Sequence, residues 1–235
     1  MVRSSGYKAI VFDLDNTLLN YDECISDSMR RAVRHHRLTE RDGFSWDDFW
    51  DTFLKHSLFY WEQRVSRKWG ILQVLEFALR DTFDQLGEKP ALAADLARTY
   101  WEFFCNTCHF EEGAFEIVQW AQRNYKLGIV SNGIGEAQRL RLKCGRIDDL
   151  FASIVVSDEV GCWKPDPNIF YVVFERMNVK PEEVLYVGDS LRDDYDGALN
   201  AGIDFCFYNR KRQPIEEHIR PKYMINKLYQ LKNVI

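Results

Sequence analysis

The sequence predicts an α/β fold in which a parallel sheet carries helices on both faces and is interrupted by an all-helical insertion. Three observations carry this expectation. A short apolar strand, "KAIVF" at residues 8–12, opens the chain. Roughly ninety residues with apolar positions three and four apart then run from Tyr21 to Cys108, almost without β-branched runs. From Glu111 onward short apolar strands alternate with helices, which is the pattern of a parallel sheet covered on both sides.

The elements follow in order. Within the insertion the helical segments are "ISDSMRRAVRHH", "WDDFWDTFLKH", "FYWEQRVSRKWGILQVLEFALRDTFDQLG" and "ALAADLARTYWEFF". Ser45 before "WDDFW", with Asp48 three residues on, predicts a capping box. In the second part the strands are "KLGIVS", "SIVVS", "EVLYVGD" and "IDFCFY", with a weaker one at "KYMI". Helices are expected at "AFEIVQWAQRN", "IGEAQRLRLKCG", "NIFYVVFERM" and "DYDGALNAG". Asp166 and Pro167 suit an N-cap and first helical position, and Gly202 a C-terminal stop. The opening strand has to join the later sheet, so the helical block is inserted between the first strand and the rest.

Composition narrows the function classes. The 235 residues are 46% hydrophobic and 29% charged, an ordinary globular balance with enough chain for a sizeable core. A net charge of −5 without a Lys/Arg stripe disfavours a nucleic-acid polymer as partner. No run approaches the roughly 18 apolar residues of a membrane span, and the first apolar run is too short for a signal peptide. A cytoplasmic protein that does not engage a membrane is expected. The six cysteines have no framework spacing and are expected as thiols. "CNTCH" at Cys105–His109 has the spacing of covalent haem attachment, yet it follows a helix and lacks a second Cys/His pair, so helix-end thiols are the better reading.

The opening strand ends in "DLDNT", two like charges at Asp13 and Asp15. If extended geometry continued, the pair would lie about 6 Å apart and repel by roughly 3 kcal/mol at an effective dielectric of about 20. Either the strand stops and Asp15-Asn16-Thr17 is a solvated turn, or positive charge gathers there.

In an open parallel sheet, ligands sit outside the carboxyl ends of the strands. Those ends are Asp13 and Asp15, then Ser131 and Asn132, then Asp189, with Lys164 in the loop after "SIVVS". Carboxylates from Asp13, Asp15, Asp189 and Asp194 suit a hard divalent cation such as Mg²⁺. Lys164 can hold a phosphate or an aspartate nucleophile. The Ser131 hydroxyl and the N–H groups of Asn132 and Gly133, which lead into a helix, suit an anion. None of the five histidines falls at a strand end, and GxSxG is absent, so a Ser-His nucleophile lacks its base. An aspartate nucleophile remains, Asp13 being nearest the strand end, with Asp15 moving the proton.

The set "VFDLDNTL", "IVSNG", "KPDPNIF" and "VGDSLRDD", in that order, resembles the four motifs of the haloacid dehalogenase-like (HAD) hydrolase superfamily, over Ile10 to about Leu231. The resemblance implies a Rossmann-like core at residues 1–19 and 111–235 and a helical cap at 20–110. It implies Asp13 as nucleophile, Asp15 as general acid/base, Ser131 and Lys164 as phosphate ligands, and Mg²⁺ on Asp13, the Asp15 carbonyl, Asp189 and Asp194. Asp193 competes with Asp194 for the last place, and counting back from "GALNAG" favours Asp194. Dehalogenases of the superfamily lack the second aspartate, so Asp15 favours a phosphatase.

Substrate choice is expected to live in the insertion, which holds Trp46, Trp50, Trp61, Trp69 and Trp101 with Phe44, Phe49, Phe53, Phe59 and Tyr60. Stacking on a base and packing in a core both fit them, and packing is the commoner role. The insertion's length and the "KYMINKLYQL" ending look most like the pyrimidine 5′-nucleotidase branch. Alternatives are a phosphatase of another small metabolite such as phosphoglycolate or a sugar phosphate, a phosphomutase, and a catalytically silent binding scaffold. A receiver-type phosphoacceptor would need its aspartate where Ser131 stands. The partner is a small phosphomonoester; the sequence names no oligomeric state.

Overall fold

Six strands form one sheet in the computed structural model, which describes residues 6–235: β1 (Ala9–Phe12), β2 (Lys126–Ser131), β3 (Ser153–Val156), β4 (Val184–Gly188), β5 (Asp204–Tyr208) and β6 (Tyr223–Ile225). All pairings are parallel, in the order β3-β2-β1-β4-β5-β6. β1 lies centrally, with Phe12 opposite Ile129 on one side and Val187 on the other. Every strand expected from the apolar runs is present, "KYMI" included.

The nine α-helices among the described residues are α1 (Tyr21–His35), α2 (Trp46–Arg67), α3 (Ile71–Gln85), α4 (Ala93–Cys105), α5 (Ala114–Ala121), α6 (Gly135–Cys144), α7 (Ser157–Val160), α8 (Asn168–Met177) and α9 (Asp196–Ala201). The chain divides into two compact units, one made of residues up to Glu23 with Cys108–Ile235, the other of Cys24–Thr107.

In the sheet unit the two-residue alternation of a strand sorts side chains to opposite faces. Ile10 and Phe12 join Ile117 and Val118 of α5 and Leu142 of α6, while Ala9 and Val11 join Val173 and Met177 of α8 and Ala198 of α9. All four residues of β1 are buried, as expected of a central strand covered on both faces. Gly128 lets α8 come close, since a Cβ there would lie 2.7 Å from Met177 Sδ and 3.1 Å from Val173 Cγ2. Pro167 stands at the N-cap of α8, one residue later than expected, and the Asp166 carboxylate before it accepts from the Asn168 N–H at 2.9 Å. Gly202 ends α9 at φ 70°, the left-handed conformation glycine takes without a Cβ penalty.

The second unit is all helical. Ser45 Oγ accepts from the Asp48 N–H and starts α2, which runs without a break through Ser57 and Leu58 and stops at Lys68 in a left-handed conformation, φ 57°. Its core is aromatic: Phe49 stacks on Phe53, Phe49 meets Phe83, and Phe53 meets Tyr100 edge-on. Phe49 and Phe53 are each 1% exposed, and burying such a ring contributes roughly 1.5–3 kcal/mol. These two residues are packing. Trp61 and Phe59 stay exposed, while Trp46 stacks on Trp50 with the Arg30 guanidinium over its ring.

Candidate active site

The strand order reverses direction between β1 and β4, and a crevice outside the carboxyl ends of such strands is where open parallel sheets bind ligands. Asp13 follows β1 and Asp189 follows β4. The Asp13 N–H donates to the Val187 carbonyl at 2.8 Å, so pairing continues one residue past Phe12. The chain then turns sharply: the N–H groups of Leu18 and Leu19 both donate to the Leu14 carbonyl, and Asn16 takes φ 62°. Thr17 is fully buried here, so "DNT" is not the solvated turn that its composition allowed.

Lys164 is the positive charge beside Asp13. Its ammonium donates to Asp13 Oδ1 at 2.6 Å, Asp194 Oδ1 at 2.7 Å and Tyr186 Oη at 2.9 Å, which accounts for its three protons. Burial alone would lower the Lys164 pKa, but Asp13 and Asp194 outweigh it and raise it. Of the two partners the sequence allowed, a phosphate or an aspartate, the contact with Asp13 is the one this geometry contains. Asp194 is 1% exposed and further fixed by the Tyr186 hydroxyl at 2.8 Å and by the Ser190 N–H at 2.9 Å to its other oxygen. Tyr186 and Ser190 escaped the sequence reading; Tyr186 looked like one more apolar strand residue in "LYVG".

Oxygens of Asp13, Asp189 and Asp194 lie within 4.8 Å of one another, the one such group of possible metal ligands among the described residues. Asp189 has no hydrogen-bond donor among the described residues, and its pKa is pushed up to about 7, first by burial and then by Asp194. Burial also pushes the Asp13 carboxyl well above its ordinary value; Lys164 pulls it down, while Asp194 and Asp189 push it up. Three clustered carboxyls, one without a donor, are deficient in positive charge, and an all-oxygen donor set of this kind fits Mg²⁺. Asp193 is half-buried and lies outside this group; Asp194, not Asp193, meets Lys164.

The Asp15 side chain takes a different direction. Its Oδ1 accepts from Arg141 at 2.7 Å and its Oδ2 from Gln138 Nε2 at 2.7 Å, both on α6. The same Gln138 Nε2 donates to Ser131 Oγ at 2.9 Å. The Asn132 side chain turns to Lys164: Oδ1 accepts from the Lys164 N–H at 2.8 Å and Nδ2 donates to the Lys164 carbonyl at 3.0 Å. These paired bonds clamp the Lys164 backbone. The Gly133 N–H, also expected to face an anion, donates instead to Ser157 Oγ at 3.0 Å. Ser131 is fully buried with its oxygen accepting from Gln138, which leaves its own O–H to donate. Gln138 and Arg141 also went unread, because a Gln and an Arg three apart on a helix look like a solvated face.

The "CNTCH" residues form no part of a metal-ligand group among the described residues; Cys105 is buried at the end of α4, and His109 Nδ1 lies 3.9 Å from Glu23.

Comparison with known proteins gives consistent relatives. Over 227 residues the chain is 27% identical to the pyrimidine 5′-nucleotidase YjjG of Escherichia coli, covering 96% of each. Over 234 residues it is 28% identical to the glyceraldehyde 3-phosphate phosphatase of Methanopyrus kandleri, covering 97% of each. Among solved structures, that of the HAD-hydrolase YfnB from Bacillus subtilis bound to magnesium superposes with a TM-score of 0.81 at 27% identity, covering 97% of this chain and 98% of that one. A model of the haloacid dehalogenase-like hydrolases matches residues 7–202. With its sheet, helical insertion and acidic strand ends in agreement, the chain belongs to the haloacid dehalogenase-like hydrolase family.

Proposed function

We propose that this hydrolase cleaves phosphomonoesters through an aspartyl-phosphate on Asp13, with nucleoside 5′-monophosphates as its substrate class. The observation that carries the reading is the Lys164 ammonium seated between Asp13 and Asp194, beside the donor-free Asp189. An Asp13 oxygen attacks phosphorus as the ester P–O bond breaks, and Asp15 gives its proton to the departing alkoxide. Water then attacks the phosphorus of the aspartyl-phosphate, Asp15 takes the proton, and inorganic phosphate leaves with Asp13 restored.

Asp13, Asp189 and Asp194, with the Asp15 carbonyl, would hold Mg²⁺, which when bound supplies the positive charge that three carboxylates and a phosphate dianion need to share one site. Lys164 keeps Asp13 in place by its 2.6 Å bond, and the Ser131 O–H is available to a phosphate oxygen. Asn132 acts through Lys164, whose backbone it clamps.

The nucleotide reading draws on the resemblance to YjjG along nearly the whole chain. A triose or sugar phosphate is the second reading, supported by the comparable similarity to the glyceraldehyde 3-phosphate phosphatase. A panel of nucleoside monophosphates, sugar phosphates and phosphoglycolate, assayed with Mg²⁺, separates them. A nucleotide is expected to give the highest kcat/KM; a sugar phosphate ahead of every nucleotide would turn the assignment to the second reading.

A further inference from the structure

We infer that Gln138 and Arg141 are positioning residues that hold the Asp15 carboxylate in place for proton transfer, an inference that rests on the phosphomonoesterase reading above. Arg141 is fully buried, and a guanidinium in such a place is costly unless it is paired and hydrogen-bonded. Its NH1 lies 2.7 Å from Asp15 Oδ1 and 2.9 Å from Gln138 Oε1. Gln138 is itself 2% exposed and spends both amide protons nearby, one on Asp15 Oδ2 at 2.7 Å and one on Ser131 Oγ at 2.9 Å. Those three partners determine the amide orientation, because the flipped form would turn a carbonyl toward two oxygens and an NH₂ toward the guanidinium.

Asp15 lies in an irregular turn with its side chain 22% exposed, where a carboxylate held by one donor would rotate about its own axis. Here a different residue holds each oxygen, so both direction and rotation are set before substrate arrives. Spacing of three along α6 puts the two donors on one helix face, one turn apart. Preset orientation of this kind is where a proton-transfer group gains its advantage. Gln138 also links Asp15 to Ser131, so one side chain sets both Asp15 and the orientation of the Ser131 hydroxyl.

The readout is the dependence on the leaving group. 4-Nitrophenyl phosphate releases a phenolate that needs no proton, whereas the best alkyl phosphate of the substrate panel releases an alkoxide that does. In Arg141→Met and Gln138→Met, kcat/KM for the alkyl phosphate is expected to fall about 10²-fold, while the aryl ester falls less than about 5-fold. Asp15→Asn is expected to show the same selectivity, more strongly. Arg141→Lys, which keeps the charge and one donor in reach, is expected to recover part of the alkyl-phosphate rate; it is also the variant to read if Arg141→Met does not fold. Gln138→Met alone is expected to raise KM for both esters, through Ser131. Equal losses on both esters in the folded variants, or no loss on either, would overturn the inference. Asp13→Asn on the same two substrates keeps the tests distinct: residual turnover there sinks the aspartyl-phosphate reading itself, whatever Arg141 does.

Discussion

Lys164 Nζ lies 2.6 Å from Asp13 Oδ1, with side-chain exposures of only 3% and 8%. Breaking a buried pair by removing one partner typically costs 3–5 kcal/mol, because the remaining charge has lost both water and counter-ion. Lys164→Met, which keeps the length of the side chain, is expected to lose roughly that much in urea unfolding. It is also expected to abolish phosphatase turnover. A variant that retains wild-type turnover would remove Lys164 from the site chemistry.

Asp194 and Asp193 are adjacent in sequence and differ in environment. Asp194→Asn places an NH₂ against one of the donors now served by the carboxylate, Lys164 and Tyr186 on one oxygen or the Ser190 N–H on the other. Asp193→Asn changes a half-buried side chain, and is expected to stay within about 0.5 kcal/mol of wild type. Parallel unfolding curves and Mg²⁺ titrations of the two variants check this. Equal effects would contradict the assignment of Asp194.

Gly188 closes β4 beneath Asp194. A Cβ built there lies 2.5 Å from Asp194 Cγ, closer than real contacts come, so Gly188→Ala has to displace that carboxylate. Since Asp194 is held from three sides, it has little room to yield. The expected result is a fall in kcat of at least about 10-fold, a barrier increase of about 1.4 kcal/mol. A fully active Gly188→Ala protein would show that Asp194 is free to move.

Mg²⁺ binding can be read without any turnover. A ligand that binds only the folded state stabilises it by about 2.7 kcal/mol at a concentration about 100 times its Kd. In a chain of this length that raises Tm by several degrees, about 2–4 °C per kcal/mol. Asp189→Asn is expected to remove most of the shift, because Asp189 is the one carboxylate of the three without a donor among the described residues. An undiminished shift would place the cation elsewhere.

The cysteines offer a pH test that needs no substrate. Burial pushes the Cys206 thiol up to about 12, whereas Cys144 is exposed. The folded state therefore favours the protonated Cys206, a contribution present below the unfolded thiol's pKa of about 9 and lost as pH rises through about 12. At about pH 8.5, iodoacetamide is expected to label Cys144 within minutes and Cys206 only on unfolding. Peptide mass spectrometry reads both sites, and equal labelling of folded protein would contradict the burial.

Much of this was legible in the chain. Short β-branched runs between helical stretches announce a parallel sheet, because a strand covered on both faces must be apolar throughout; "KAIVF" and "KLGIVS" became β1 and β2 on that ground. Acidic residues directly after such runs then have to emerge at the carboxyl edge, which gave Asp13 and Asp189 without any knowledge of strand order. Local capping was equally readable at Ser45 and Gly202, since each acts within a few residues of itself.

The tertiary structure decided what a side chain meets across the sequence. The order β3-β2-β1-β4-β5-β6 sets Asp13 beside Asp189, although 176 residues separate them. It gives Asp194 to Lys164 in place of Asp193, sends Asp15 toward Arg141, and makes the Asn132 side chain a clamp on the Lys164 backbone. Periodicity shows which face of a helix is apolar, but not which polar residue at its margin will find a partner in the interior. Arg141 and Gln138 are buried because Asp15 and Ser131 wait at the carboxyl ends of β1 and β2, and that pairing exists only once the strands lie side by side.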